Sequence, residues 1–380
     1  MKAARTILFA GAALALAACS DQSPTEAGRR PTSAPVLNAA ANGVDGEYVI
    51  VLKEGANPRS VAAIAGVSPR HVYTAALNGF SASLNQGQLN ALQHNPNVEY
   101  IEQDQIFSVD ATQSGATWGI DRIDQRSRPL SGTYTYTSTA SNVTAYIIDT
   151  GIQPDHPNFG GRGQAVYGGT DCNGHGTHVA GTIGSTTYGI AKSVRLRGVR
   201  VLGCSGSGTT SGIIAGVDWV RANATKPAVA NMSLGGGVSS SLNTAVGNLA
   251  SSGVFVAVAA GNESQNACNV SPASTSAVLT VAASTSTDAR ASYSNYGSCV
   301  DIYAPGSSVT STWINSGTRS ISGTSMASPH AAGVAALYKG NYGDASQSTI
   351  NSWIINNSTA NVITGNPTGT PNRLLYKGAL

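Results

Sequence analysis

The 380-residue chain has few charged residues and little net charge. Asp, Glu, Lys and Arg together make up 11% of it, and the formal net charge is +3. Proteins that bind nucleic acid or another polyanion through a broad surface usually carry a strong basic excess. The composition therefore gives no reason to expect nucleic acid, a polyanion or an acidic substrate as a partner.

The N-terminal apolar run, Ile7–Ala18, is too short for a mature membrane span. Lys2 and Arg5 precede it, and a basic start before a short apolar stretch is typical of a signal peptide. The stretch ends in Leu16-Ala17-Ala18-Cys19, which looks like a bacterial lipobox and would make Cys19 a lipidated N-terminal residue. Ordinary signal cleavage beside an incidental cysteine is the alternative. We expect an exported protein whose one membrane contact would be a lipid on Cys19.

Cysteine is scarce, and its spacing lacks the CxxC pairs of a structural zinc site. Apart from Cys19, the chain has four cysteines, which are Cys172, Cys204, Cys268 and Cys299. Disulfides are the default in an exported protein because the compartment is oxidising. Four cysteines allow three pairings, and sequence spacing does not choose among them.

Composition and pattern divide the chain into four segments. After a signal peptide at 1–18, residues 19–45 are rich in Ser, Pro, Ala, Gly and Asn, which predicts a flexible linker. Residues 46–110 alternate short strand and helix patterns in the order β-α-β-α-β, which predicts a small α+β domain. A polar break follows, and residues 111–380 are expected to form the large domain.

The large domain alternates apolar strand patterns with helical patterns. Strands are predicted at Val143–Ile148, Leu196–Leu202, Ala228–Ser233, Val254–Ala260 and Ala277–Ala283, and helices at His178–Ile183, Thr210–Arg221, Ser241–Ala250 and Ser325–Tyr338. Continuous apolar strands between helices predict an α/β fold with a mainly parallel sheet covered on both faces. In such sheets, functional sites form outside the carboxyl ends of the strands.

Four polar residues stand where this rule places a site. Asp149 ends the first predicted strand, Asn262 follows the fourth, His175 lies between two glycines, and Ser325 opens the last helix. Each has an ordinary structural explanation, such as a cap, a turn or a buried histidine. His178 lies one helical turn after His175, but no Glu accompanies the pair as it does in the HExxH zinc motif.

Together, the segments around Asp149, His175, Asn262 and Ser325 resemble those of subtilisin-like serine proteases, in which Asp, His and Ser occur in this order. The resemblance covers nearly all of residues 111–380 and is closest to the proteinase K branch, especially aqualysin-type bacterial enzymes. Further matching segments are Trp118–Gln125, Asn231–Gly237 and Ser294–Ser298. The resemblance implies an acyl-enzyme endopeptidase with Asp149, His175 and Ser325 as the triad and Asn262 as an oxyanion donor.

The resemblance also implies how the enzyme is made. The small α+β domain resembles the family's ferredoxin-like inhibitory propeptide, which acts as an intramolecular inhibitor, so the mature enzyme would begin near Ala111 and act as a monomer. Asp110, the residue before that junction, fits poorly into an apolar pocket, and the true cleavage point could lie a few residues away. Among the three cysteine pairings, the resemblance selects Cys172–Cys204 and Cys268–Cys299.

The resemblance further assigns the residues that would hold a polypeptide substrate. Two walls of the first specificity pocket and one substrate-pairing strand are implied, namely Ser233, Leu234 and Gly235, then Ala259, Ala260 and Gly261, and finally Gly206, Ser207 and Gly208. Walls of small, uncharged residues would admit bulky apolar or aromatic side chains. Because backbone pairing tolerates many sequences, broad specificity is expected.

Two structural calcium sites are expected from the resemblance. One would use Asp301 and the carbonyl oxygens of Ser276 and Val278, and the other Asp121, Asp124 and Gln125. Oxygen ligands suit Ca²⁺, although surface carboxylates more often face water. The stretch between Gly163 and Asp171 is shorter than in aqualysin-like relatives, which argues against a further calcium site there.

Two other functions predict different residues. A sedolisin-like acid peptidase shares the Gly-Thr-Ser turn but needs a carboxylate where His175 stands. A peptide-binding surface lipoprotein built on an inactive protease scaffold would lack a triad or oxyanion residue, and none is missing here.

Overall fold

The computed structural model describes residues 33–38, 43–105 and 111–380. The chain divides into two compact units, residues 1–106 and 107–380. The predicted signal peptide, Cys19 and the residues just before Ala111 lie outside the described residues. Within the described parts, no helix is both long enough and apolar enough to cross a membrane.

The first unit is a five-stranded sheet with two helices. Its elements are β1 Val36–Leu37, β2 Gly43–Leu52, α1 Pro58–Ile64, β3 His71–Tyr73, β4 Gly79–Ser83, α2 Gln86–Gln93 and β5 Val98–Gln105. The strands lie in the order β1-β5-β2-β4-β3. Both helices begin at an asparagine cap, and at Asn85 the side chain of Gln88 completes a capping box. The α+β architecture is the predicted one.

The prediction of a linker over residues 19–45 is wrong at its C-terminal end. Strand β1 pairs in parallel with β5, Val36 facing Ile101, and β2 already begins at Gly43. Ala34 is buried with the core of this unit. A two-residue strand has no periodicity to detect, because its pairing depends on a strand some 65 residues later in the chain.

The second unit contains the remaining elements. Its helices are α3 Trp118–Asp124, α4 His175–Gly184, α5 Thr210–Asn223, α6 Ser240–Ser251, α7 Thr324–Tyr342 and α8 Gln347–Asn357. Its strands are β6 Ala111–Ser114, β7 Thr133–Tyr136, β8 Thr144–Asp149, β9 Gly163–Tyr167, β10 Arg195–Arg200, β11 Ala228–Met232, β12 Gly236–Gly237, β13 Phe255–Ala259, β14 Val270–Ser271, β15 Leu279–Ser284, β16 Ile302–Pro305, β17 Val309–Trp313, β18 Gly317–Ile321, β19 Thr359–Ala360 and β20 Arg373–Leu374.

Nine of these strands form one sheet, in the order β19-β20-β16-β15-β13-β11-β8-β10-β9. All of its pairings are parallel except that of β19 with β20. Alternate residues of β8 enter two different cores: Ala145 and Ile147 pack with α4 and α7, whereas Tyr146 and Ile148 pack with α5 and α6. The expected mainly parallel sheet with helices on both faces is confirmed.

Three neighbouring strands set the position of the site. Strands β13, β11 and β8 lie side by side and run in the same direction, so their carboxyl ends share one edge of the sheet. Asn262, Ser233 and Asp149 lie at or just beyond these three ends. Helices α4 and α7 begin at the same edge, and their first residues include His175 and Ser325.

Candidate active site

Asp149 is the last residue of β8 and is completely buried. Its Oδ1 accepts hydrogen bonds from the Thr150 amide at 2.7 Å and from His175 Nδ1 at 2.8 Å. Its Oδ2 is buried with no hydrogen-bond partner among the described residues. A carboxylate buried with so few donors favours a positive charge on the adjacent imidazole.

Glycines bring the start of α4 close to the end of β8. A Cβ on Gly176 would lie 2.0 Å from the carbonyl oxygen of Gly151 and 3.2 Å from Asp149 Cβ. Gly174 has φ of +109°, and a Cβ there would lie 2.3 Å from the Trp313 ring. The Gly-His-Gly sequence is therefore required by backbone conformation and by space, and it delivers His175 to the carboxylate.

The pKa of His175 is raised above its ordinary value. Burial lowers this pKa, but the negative charge of Asp149, the hydrogen bond to it and the charge of Asp171 together outweigh burial. The pair therefore holds an imidazole that accepts a proton more readily than one in water. Such a group can act as a general base near neutral pH.

Ser325 is the second residue of α7 and exchanges hydrogen bonds with Ser233. Its Oγ donates to the carbonyl oxygen of Ser233 at 3.3 Å, and its own carbonyl oxygen accepts from Ser233 Oγ at 2.7 Å. Behind Ser233, the buried side chains of Asn231 and Ser328 continue the network. The start of α7 is thus fixed to the end of β11.

Two N–H donors approach one region beside Ser325. Asn262 Oδ1 accepts from both the amide and the hydroxyl of Thr324, at 2.8 and 3.0 Å, which fixes the side-chain amide. An ideal Cβ built on Gly323 would lie 3.6 Å from Ser325 N and 3.8 Å from Asn262 Nδ2. Backbone and side-chain donors that converge in this way can stabilise a developing oxyanion.

The two predicted pocket walls lie at the carboxyl ends of adjacent strands. Ser233–Gly235 follow β11, Ala259 ends β13 with Ala260 and Gly261 just beyond it, and these two strands pair directly. Glu263, which the sequence analysis overlooked, lies close to the second wall. Its Oε2 accepts from Asn262 N at 3.0 Å and Asn295 Nδ2 at 2.8 Å. Because Glu263 is not itself in the wall, considering the wall residues alone could not reveal this charge.

Gly206–Gly208, the segment predicted to pair with an extended substrate, lie outside the strands of the described structure. The Gly203 amide donates to Ser207 O at 2.8 Å and the Gly206 amide to Gly203 O at 2.9 Å, so this segment is a turn. Gly206 has φ of +81°, which a strand does not adopt. The pairing of Gly206–Gly208 with an extended peptide stays a prediction.

The predicted calcium ligands fall into two groups. Asp301 Oδ2 accepts from the Thr280 amide at 2.7 Å, and burial raises the pKa of Asp301 to about 6, against weaker opposing effects of this hydrogen bond and of the Arg373 charge. Ser276 and Val278 lie on the loop before β15, whose Thr280 makes that contact. A partly buried carboxylate that accepts one hydrogen bond from the described residues fits a cation beside it.

In the second group, which is Asp121, Asp124 and Gln125, the side chains bind different partners. Asp121 Oδ1 and Gln125 Oε1 both accept from the Ser131 amide, at 3.2 and 2.9 Å. Asp124 instead accepts from Thr135 and forms an ion pair with Lys377 at 3.0 Å. Because an ammonium already neutralises Asp124, this carboxylate does not fit as a ligand in the present arrangement. Among the described residues, no three His, Cys, Asp or Glu side chains cluster as metal ligands.

Two disulfides are formed, Cys172–Cys204 and Cys268–Cys299. The first joins the turn before His175 to the loop that contains Gly206, and Asn173 Nδ2 also donates to Cys204 O at 2.8 Å. These are the two pairings that the family resemblance implied, and they are confirmed; spacing alone left three pairings open, because contacts between distant loops cannot be read from it.

Comparison with known proteins agrees with this geometry. Residues 140–374 match the subtilase family, and residues 47–110 match the peptidase inhibitor I9 family. An extracellular serine proteinase of Thermus sp. is 48% identical over 96% of this chain and 96% of its own length. Proteinase R of Parengyodontium album is 46% identical over 92% of this chain and 93% of its own.

A solved structure is also similar. The crystal structure of a cold adapted subtilisin-like serine proteinase is 51% identical, with a TM-score of 0.68, and the match covers 70% of this chain and 99% of that one. The family match spans most of the second unit, which holds the Asp149–His175 pair and Ser325. The chain belongs to the subtilase family and is a serine proteinase.

Proposed function

We propose that the chain is a secreted endopeptidase in which Ser325 is the nucleophile, His175 the general base and Asp149 the residue that orients the imidazole. The observation that carries this assignment is the 2.8 Å hydrogen bond from His175 Nδ1 to the buried Asp149. That bond leaves Nε2 free of Asp149 and able to take the Ser325 proton.

In the reaction, Ser325 Oγ forms a bond to the scissile carbonyl carbon while His175 takes its proton. The carbonyl π electrons move to oxygen, and Asn262 Nδ2 and the Ser325 amide hold that oxyanion. As the C–N bond breaks, His175 returns the proton to the leaving amine, and an acyl-enzyme remains. Water, deprotonated by the same imidazole, then releases the acyl group and regenerates Ser325.

Broad specificity with a preference for bulky apolar or aromatic residues before the cut is part of the proposal. The pocket walls, Ser233–Gly235 and Ala259–Gly261, consist of small residues and one leucine. Because Glu263 lies beside this region, the test compares cleavage after Arg or Lys with cleavage after bulky apolar residues. A marked preference for a basic residue, abolished by Glu263→Gln, would contradict the apolar pocket.

Export and self-processing complete the proposal. The Thermus relative is named an extracellular serine proteinase, and the I9 match covers residues 47–110. We infer that residues 46–110 inhibit the peptidase domain 111–380 until cleavage near Ala111, and that the mature monomer is released. A lipid on Cys19 would then anchor only the part that is removed.

Structural calcium is proposed at one site, Asp301 with the carbonyl oxygens of Ser276 and Val278. When bound, the ion would neutralise a partly buried carboxylate and cross-link the loop before β15 to the start of β16. Chelation with EDTA should then speed thermal inactivation of wild type, and Asp301→Asn should remove that sensitivity. Equal inactivation rates with and without EDTA would dismiss the site.

The function is tested with Ser325→Ala, and Ser348→Ala serves as a matched control because Ser348 is exposed on α8. Wild type and the control should digest casein and be labelled by phenylmethanesulfonyl fluoride, whereas Ser325→Ala should do neither. Peptide mapping should place the label on Ser325. Casein digestion by Ser325→Ala at the wild-type rate would rule out the proposed nucleophile.

A further inference from the structure

We propose that Asp171 is a positioning residue for the Asp149–His175 pair, an inference that rests on the proposed function. Asp171 lies four residues before His175, in the loop that leads into α4. Nothing in the motif pattern singled it out. Its carboxylate nevertheless ties together the residues on both sides of the pair.

Five hydrogen bonds end on the Asp171 carboxylate. Oδ1 accepts from Thr150 Oγ1 at 2.9 Å, from the Asn173 amide at 2.8 Å and from the Gly174 amide at 2.9 Å. Oδ2 accepts from the amide of Thr177 at 2.9 Å and from its hydroxyl at 2.6 Å. Four of these five donors belong to residues just before and just after His175, so one carboxylate fixes both flanks of the histidine.

Thr150 extends the same network to Asp149. Its amide donates to Asp149 Oδ1 at 2.7 Å, while its hydroxyl accepts from the Gly176 amide at 2.9 Å and donates to Asp171. The end of β8 and the first turn of α4 are therefore joined through Thr150 and Asp171 as well as through the His175–Asp149 bond. Losing this support would allow the imidazole to shift relative to Ser325.

Asp171 also acts through its charge. Burial has the largest effect on the pKa of His175 and lowers it, whereas Asp149 raises this pKa through its charge and its hydrogen bond. The negative charge of Asp171 raises the pKa further. Four other charged or titratable groups surround this loop. Asp155 lies across a cleft of about 300 Å³, and Arg200 donates to the carbonyl oxygen of Thr170. His178 lies on α4, and the Arg319 guanidinium lies over the Trp313 ring. Asp155 is exposed, and no hydrogen bond joins it to the His175 turn in the described structure.

Asp171→Asn tests both effects, and Asp155→Asn is the matched control because it removes the same charge from the other side of the cleft. Each variant is expressed as the full 380-residue chain. In Asp171→Asn we expect kcat to fall roughly 10–100-fold with KM changed less than about threefold. The acid limb of kcat/KM, which reports His175, should move to lower pH because a charge that stabilises the imidazolium is gone. Asp155→Asn should keep the wild-type limb.

Thr150→Val separates position from charge and serves if Asp171→Asn does not fold. It removes the hydroxyl bridge but keeps both carboxylates, so kcat should fall while the acid limb stays in place, and Thr150→Ser should restore kcat. The inference is overturned if Thr150→Val is fully active, or if Asp171→Asn shows the wild-type kcat and acid limb.

Labelling with phenylmethanesulfonyl fluoride shows whether the role of Asp171 is wrong or the proposed function itself is wrong. If wild type is labelled on Ser325 and Asp171→Asn is labelled at the same rate across the pH range, Asp171 has no positioning role and the proposed function survives. If wild type is not labelled, the proposed function fails first.

Discussion

At the residue scale, Gly323 matters because its lack of a side chain leaves space beside the Ser325 amide and the Asn262 side-chain amide. A Cβ there would make ordinary contacts with Ser325 N and Asn262 Nδ2, at 3.6 and 3.8 Å, and the backbone of Gly323, with φ of 161°, is extended. The residue could therefore be replaced without backbone strain. The new methyl group would nevertheless lie beside the two donors that the mechanism needs.

Gly323→Ala should consequently lower kcat without lowering stability. We expect a fall of about 10-fold or more, compared with about 10²–10³-fold for Asn262→Ala, which removes a donor outright. The melting temperature of the sulfonylated enzyme should stay within about 1–2 °C of wild type. Gly247→Ala, in the interior of α6, is the control for an added methyl group elsewhere, because a Cβ there would meet its nearest neighbours at an ordinary 3.9 Å. Unchanged kcat in Gly323→Ala would show that the donors do not meet where this geometry places them.

The residues that could be predicted from sequence are those with a distinctive neighbourhood. Asp149, His175 and Ser325 each stand in a short motif of glycines and small residues that backbone geometry requires. Asp171 and Thr324 could not be found in this way. Their roles depend on hydrogen bonds to residues 21 and 62 positions away, and an Asp or Thr in a loop is otherwise common.

At the element scale, the Cys172–Cys204 disulfide joins the turn that carries His175 to the loop after β10. It closes 32 residues, and Cys268–Cys299 closes 31. Loop-closure entropy therefore predicts about the same stabilisation for both, of order 3–4 kcal/mol. The two bonds differ in position, since only the first is attached next to Asp171.

Replacing either pair by alanine should thus destabilise the protein to a similar extent, measured as the melting temperature of the sulfonylated enzyme. Cys172→Ala with Cys204→Ala should also lower kcat, because the turn before His175 loses a covalent tether. Cys268→Ala with Cys299→Ala should lower kcat less, because this disulfide is not attached to the turn before His175. If the two double variants lose the same kcat, the first disulfide has no special relation to His175.

Element types were more predictable than element ends. The five apolar strands of the large domain occur where periodicity and composition indicated, with ends shifted by at most two residues. Helix α4 begins at His175 rather than at His178, because Gly174 in a left-handed conformation starts the helix without a side-chain cap. Helix α7 continues through Pro329, which lies in its first two turns.

At the scale of the whole molecule, two buried histidines link stability to pH. His178 and His330 are buried in the second unit, and burial lowers the pKa of each to about 4. His178 Nε2 contacts the carbonyl oxygens of Val309 and Arg319, and His330 Nδ1 that of Met326, so each neutral ring can donate to a carbonyl. Burial therefore favours the neutral form of each ring, with its proton on the nitrogen that contacts the carbonyl oxygen.

Because the folded pKa lies below the unfolded value of about 6.5, the unfolded chain binds protons that the folded chain does not between pH 6.5 and 4. Stability should fall as pH drops through this window, by at most about 3 kcal/mol for each histidine. His175, whose pKa is raised, acts in the opposite direction.

We expect the melting temperature of sulfonylated wild type to fall from pH 7 to pH 4, and His178→Gln to weaken that dependence while lowering stability at pH 7. A variant with the full wild-type slope would mean that His178 is not the group that resists protonation.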